Sequence, residues 1–282
     1  MIITQLTGGL GNQLFQYSLG LNLSIINNMP LKIDTSRYEL ATEFRKYSLD
    51  EIISNIEIAS QSEIDLFKKK SIFGLLNQKK IVAEKEFRFD EGILRQKGNL
   101  YLDGFWQSEK YFSSIKNILL DKINLKKIIS PDDFFKYEIE IKNKNSVCLF
   151  VRRAELVTNP VFSSYHGYCS EDYYLKAIEI MKQKVEDAFF FIFSDDLEWC
   201  YENFNDINNS VIVKHFSKDD KYIQYFILMS FCKHFIIPNS TYGWWAAWLS
   251  KCSEKKIIAP KNWFNKANHS IIDLFPSDWI II

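Results

Sequence analysis

The chain has 282 residues, 47% hydrophobic and 25% charged, a globular balance that excludes a disordered protein. Lys plus Arg and Asp plus Glu both total 35, so the bulk charge argues against a dedicated nucleic-acid binder. The length suits two domains of ordinary size better than one large one, and 23 Phe, 14 Tyr and 7 Trp can fill two cores and line a ligand cleft.

Residues 2–7 alternate as a strand, Gly8 to Asn12 form a turn, and Leu14, Phe15, Ser18, Leu19 and Leu21 recur at helical spacing. Residues 31–34 read as a second strand, which makes the opening β-loop-α-β. The Gly8-Gly9-Leu10-Gly11 loop lets backbone approach a ligand at a strand end; an ordinary tight turn is the plainer alternative. Leu14 breaks the dinucleotide fingerprint where its third glycine should stand. Asn12 and Gln13 add amides from the same loop, so Gly9, Gly11, Asn12 and Gln13 become ligand-binding candidates.

Residues 60–98 are polar and helical in character. Lys68-Lys69-Lys70 and Lys79-Lys80 flank apolar Ile72 to Leu76; the stretch is a solvated helix face or a contact with anionic lipid. Residues 100–107 read as strand and loop, and a helix is expected from about Ser108. The charged, poorly periodic stretch 126–145, with Pro131, holds the domain joint, and the domains are read as 1–140 and 141–282.

Val147 to Val151 is a continuous apolar run, the mark of a buried parallel strand. Arg152 and Arg153 end it, where two guanidinium forks suit a pyrophosphate; a salt-bridged surface pair is the alternative. Glu155 follows, either as a general base or as a partner of those arginines. His166 lies in a loop that could face the cleft. An amphipathic helix spans 170–184, and Ala188 to Phe193 is another buried strand. Asp195 and Asp196 after it could bind a metal, orient a sugar hydroxyl or cap the next helix. Further strands are read at 211–213, 235–237 and 256–260, so strands alternate with helices in both halves, as in parallel α/β sheets.

Between the last two strands, Asn239, Ser240 and Thr241 precede a Trp-rich helix pattern. They can cap that helix, and its N-terminus is a ready anion site. Trp244, Trp245 and Trp248 lie at helical spacing and read as core. The five cysteines are scattered, with no CxxC pair, so neither a disulfide framework nor a zinc site is indicated. No secretion signal and no membrane-spanning run is recognisable, so a cytoplasmic location is expected, with at most peripheral contact at the inner face of the membrane.

Several segments together resemble the α-1,2-fucosyltransferases of glycosyltransferase family 11. They are Gly8 to Tyr17, Gly104 to Phe112, Asp172-Tyr173-Tyr174, Phe193 to Asp196, Asn239 to Leu249 and Ile258 to Trp263. The resemblance implies an α/β fold of GT-B type, two Rossmann-like domains facing a cleft, with the acceptor on the first and the nucleotide-sugar donor mainly on the second. It implies an inverting transfer of fucose from GDP-fucose to a galactose 2-hydroxyl of an oligosaccharide or lipid-linked surface glycan. By position, Arg152 and Arg153 match the arginines of the family's His-x-Arg-Arg-Gly-Asp motif, which bind the GDP phosphates, and Glu155 falls on its Asp. Asp195, Asp196, Asn239, Ser240 and Thr241 match donor-site segments. Phe150 stands where the motif has His, Ala154 where it has Gly, and Gly243 where the family often has Ser. No cofactor is expected, and no metal, since two fixed guanidinium charges can substitute for a cation.

Overall fold

The computed structural model describes residues 1–40, 45–68, 79–125, 132–153, 157, 167–216, 221–265 and 270–282. The chain divides into two compact units, Met1–Lys127 with His269–Pro276, and Ile128–Asn268 with Ser277–Ile282. Each is built on a wholly parallel sheet, as the α/β reading requires. Among the described residues no helix is long and apolar enough to cross a membrane.

In the first unit β1 (Ile2–Gln5) runs through a glycine turn into α1 (Leu10–Asn27), and β2 (Leu31–Asp34) returns beside β1. Then come α2 (Gln61–Lys68), β3 (Lys79–Ala83), the short α3 (Glu91–Leu94), β4 (Asn99–Asp103) and α4 (Lys116–Lys122). The sheet order is β2-β1-β4-β3. Strand β3 corrects the expectation of a helical stretch. It lies at the sheet edge and buries only Val82, so its alternation is lost among lysines that also discourage edge pairing. The helix expected from Ser108 is delayed to Lys116. Two 3-10 turns precede it, because Tyr111 and Phe112 are held in the core against Trp106 and Phe15.

The second unit opens with α5 (Asp132–Asn143) and continues as β5 (Asn145–Val151), α6 (Glu171–Lys184), β6 (Ala188–Ser194), α7 (Leu197–Phe204) and β7 (Ser210–Ile212). It ends with α8 (Lys221–Phe231), β8 (His234–Ile236), α9 (Thr241–Leu249), β9 (Ile257–Ala259) and β10 (Ile280–Ile281), in sheet order β10-β9-β8-β5-β6-β7. Strands β5 and β6 are buried on both faces, which is why they read as apolar runs. Ser170 caps α6, acidic residues open it and lysines close it, as the macrodipole favours. Its buried stripe, Tyr174, Ala177, Ile178 and Met181, has helical period.

A boundary at 140 is corrected by the packing. Helix α5 lies against α8 and β5 and so belongs to the second unit. Near its end the chain rejoins the first unit, where Asp273 accepts from Phe89 N at 3.0 Å and pairs with Lys110. Two carboxylate contacts in a polar tail leave no periodic trace in the sequence.

Among the described residues the first core encloses the carboxylate of Asp34. Asp34, fully buried at the end of β2, accepts from the Tyr101 hydroxyl, from Ser36 N at 2.9 Å and from Lys68 Nζ at 3.4 Å. Burial pushes its carboxyl up, but the hydrogen bonds from Tyr101 and Ser36 and the Lys68 charge outweigh it and hold the group below its ordinary value. A lowered folded-state value means stability that is present above the unfolded carboxylate range and is lost as pH falls through the folded value. Replacement Asp34→Asn should therefore flatten the acid limb of a stability profile and cost about 1–3 kcal/mol near neutrality. Urea unfolding across the acid range reads both effects.

Candidate functional site

In an open α/β sheet, ligands bind beyond the carboxyl ends of the strands, where the strand order reverses. The first unit reverses between β1 and β4, and the second between β5 and β8. The described candidates fall at these two places, except Asp195 and Asp196, which follow the neighbouring strand β6.

At the β1 end, Gly8 takes φ +75°, a conformation that strains any other residue, and a Cβ there would meet Asn12 Nδ2 at 2.5 Å, so the turn favours glycine. Gly9 caps α1 by backbone alone, without a side-chain hydrogen bond. A Cβ at Gly9 would meet nothing closer than Arg45 Cδ at 3.9 Å, so the intramolecular packing does not demand that glycine. Gly11 is buried inside the first helical turn. Asn12 Oδ1 accepts from Gln107 Nε2 at 3.1 Å, a bond that spans the reversal from the β1 loop to the β4 loop.

Gln13 has a different task from the one its position suggested. It is fully buried, and its Nε2 donates to Gly8 O and to Lys46 O, both at 2.9 Å. Its Oε1 accepts from Ser48 N at 3.0 Å. Both amide protons are committed inside the unit, so Gln13 builds the loop. Gln16, one turn on, accepts from Thr7 N and donates to Gly104 O, each at 3.1 Å, tying the ends of β1 and β4.

In the second unit the half-buried Arg152 and Arg153 leave the end of β5. Arg153 N donates to Asp195 Oδ1 at 2.8 Å. Its Nε lies 3.8 Å from Asp196 Oδ2, beyond hydrogen-bond range, and has no hydrogen-bond partner among the described residues. The guanidinium sits over the Trp199 ring at 4.3 Å and near Tyr168 at 5.5 Å. Trp199 was not singled out in the sequence. The available signal was its place three residues after the capping Asp196, which orients the first turn of α7.

Asp196 is that cap: its Oδ1 accepts from Trp199 N at 3.1 Å. The carboxylate pair thus serves Arg153 and α7. Among the described residues no group of three or more His, Cys, Asp and Glu could hold a metal ion. Glu155 and His166 lie outside the described residues.

The segment after β8 divides its labour. Asn239 is buried, and its Nδ2 donates to Trp263 O at 3.2 Å and Gly167 O at 3.4 Å, so it anchors neighbouring loops. Burial pushes the adjoining Cys169 thiol up to about 12, which keeps it protonated. Tyr173, from α6, donates to Ile237 O at 2.6 Å and ties that helix to the end of β8. Ser240 is the N-cap residue of α9, yet its side chain makes no capping bond. Its Oγ is buried with no hydrogen-bond partner among the described residues. Thr241 is the half-buried first residue of the helix. The other end of α9 is closed by Lys255 Nζ, which donates to the carbonyls of Ala247, Trp248 and Ser250 at 2.8–3.0 Å.

Comparison with known proteins identifies the family and the fold. The profile of Glycosyl transferase family 11 matches residues 1–282, and the chain belongs to that family. It is 32% identical over 293 aligned residues to an alpha-1,2-colitosyltransferase of Escherichia coli, covering 100% of this chain and 99% of the relative. It is 30% identical to the O-antigen biosynthesis glycosyltransferase WbnK of Escherichia coli, covering 98% of each. Among solved structures, the fucosyltransferase NodZ from Bradyrhizobium matches with a TM-score of 0.51 at 12% identity, covering 88% of this chain and 92% of that one. The chain is a glycosyltransferase with an α/β fold of GT-B type, two Rossmann-like parallel-sheet units.

The role of Gln13 separates two outcomes. As a loop builder, Gln13→Ala should cost about 1–3 kcal/mol of stability by stranding buried backbone groups. As a ligand contact only, it would weaken ligand binding and leave the unfolding midpoint in place. Chemical denaturation of the variant distinguishes them.

Proposed function

We propose that this chain is an inverting glycosyltransferase that moves L-fucose from GDP-fucose to a galactose 2-hydroxyl of a bacterial surface glycan. The single observation that carries the donor site is the buried Ser240 Oγ at the N-terminus of α9. A buried helix has one end closed by three bonds from Lys255, while at its other end the buried Ser240 Oγ has no hydrogen-bond partner among the described residues. Orphan helix N–H groups and the dipole favour an anion there, and an unsatisfied buried hydroxyl calls for a partner. Ser240 lies beyond β8 and the arginines beyond β5, on the two sides of the strand-order reversal. A diphosphate meets both requirements.

In this reading the acceptor hydroxyl attacks the anomeric carbon from the face opposite GDP. Its bond to that carbon forms as the bond from carbon to the diphosphate oxygen breaks. Glu155 takes the hydroxyl proton, and the charge on departing GDP is met by Arg152, Arg153 and the α9 N-terminus. Fixed guanidinium charges need no reorganisation at that moment; here the two arginines carry the cationic role, and the reaction is assigned as metal-independent. The acceptor is oligosaccharide or lipid-linked, and Lys79 and Lys80 give the first unit a basic edge for peripheral contact with an anionic membrane face on the cytoplasmic side, while Lys68 is engaged by Asp34.

A second donor is favoured by a specific observation, the 32% identical relative named as a colitosyltransferase. Colitose is fucose without its 3-hydroxyl, so GDP-colitose tests the sugar pocket with the nucleotide held constant.

Calorimetric titration in EDTA with GDP-fucose, GDP-colitose, GDP-mannose and UDP is the direct test. Metal-free binding of GDP-fucose ahead of the others supports the reading; preference for GDP-colitose moves the assignment to that donor, and preference for UDP overturns the GDP site. In turnover assays Arg153→Ala should lower kcat about a hundredfold or more, the scale for a preorganised charge stabiliser. Unchanged turnover would remove Arg153 from the mechanism.

A further inference from the structure

Two departures from the family motif, Phe150 and Gly243, meet in space. Phe150 is the penultimate residue of β5 and only 6% exposed. Gly243 is the third residue of α9 and is buried. A Cβ built on Gly243 would lie 2.9 Å from Phe150 Cδ1, closer than real contacts allow, and 3.3 Å from Ile237 Cβ. The backbone at Gly243 is helical, so its glycine is not required by a left-handed φ. Glycine inside a helix costs about 1 kcal/mol relative to alanine. Its presence is therefore explained by space.

The Phe150 ring fills that space. It packs on Tyr242 at 5.6 Å, and Tyr242 packs in turn on Phe226 of α8 at 5.1 Å. This places an aromatic ring of β5 directly against the first turn of α9. The same turn begins with Ser240, and the same strand ends in Arg152 and Arg153.

We propose that Phe150 and Gly243 are a matched steric pair that sets the approach of the α9 N-terminus to the end of β5. They are positioning residues. The ring needs the missing Cβ, and the pair sets the separation between the helix N–H groups and the arginines. The inference rests on the diphosphate reading for its ligand, but the steric pair itself is a property of the packing.

Interchange of the two sites tests it. The variants are Gly243→Ala, Phe150→Leu and the double substitution, each titrated with GDP and with guanosine and each unfolded in urea. Gly243→Ala alone should weaken GDP binding about tenfold, within the coupling range of touching residues, and the double variant should recover most of that loss. Guanosine, which lacks the phosphates, should change less than about twofold across the series. Equal losses for GDP and guanosine would reduce the pair to a general structural role and overturn the positioning claim. Additive effects in both binding and urea unfolding would overturn the pair. If wild-type protein does not bind GDP, the donor reading falls, while non-additivity in urea still reports on the steric pair.

Discussion

The second unit turns on how the two ends of one buried helix are satisfied. Helix α9 buries Gly243 through Leu249, and Trp244, Trp245 and Trp248 lock it into the core through mutual ring contacts. Such a helix has little solvent to satisfy its termini, so each end needs a protein partner or a ligand. Lys255 serves the carboxyl end with three short donations and a favourable charge for the dipole. At the amino end Asn239 turns its Nδ2 to Trp263 and Gly167, and the Ser240 Oγ has no hydrogen-bond partner among the described residues, at the place where the sheet order reverses.

The first unit handles the same topological place differently. Its reversal is crossed by amides: Gln16 joins Thr7 to Gly104, and Asn12 meets Gln107. Glu84 adds a second clamp below, accepting from Phe105 N at 2.7 Å and Trp106 N at 3.0 Å. Burial raises the Glu84 carboxyl even against those two donations. Neutral amide bridges and the Glu84 carboxylate join the ends of β1 and β4, and the arginines beside them, Arg45 near Gly9 and Arg37 on Asp103, stand singly. The adjacent pair Arg152-Arg153 is on the second unit, which supports the proposal that the diphosphate binds there.

Legibility followed periodicity. Strands β5 and β6 are apolar on both faces and the Arg pair ends β5, while the glycine turn follows β1 and the Trp helix follows β8, so these features could be read from local sequence. Strand β3 buries one side chain among charges and shows no period. The return of 269–276 to the first unit depends on Asp273 finding Phe89 and Lys110, more than 160 residues away. The roles of Gln13 and Asn239 were equally hidden. An amide next to a glycine loop suits a ligand or a backbone clamp alike, and only the distant partners, Lys46 and Ser48 for one, Gly167 and Trp263 for the other, decide. Asp196 was legible as one of three options, and its geometry selects the cap.

Replacement of a histidine by Phe150 removes a hydrogen-bonding group from the arginine motif, and its consequence depends on where the ring goes. At 6% exposure it offers a ligand almost no surface, so it is poorly placed to select a donor by direct contact. Its contacts run to Tyr242 and to the space left by Gly243, both in the first turn of α9. Arg153 is meanwhile held from the other side, by Asp195 through its backbone and by the Trp199 ring beneath its guanidinium. Its looser pairing with Asp196 at 3.8 Å compensates the charge without engaging Nε in a hydrogen bond. A ring packed under the helix turn and a ring packed under the arginine therefore locate two charge-bearing elements independently.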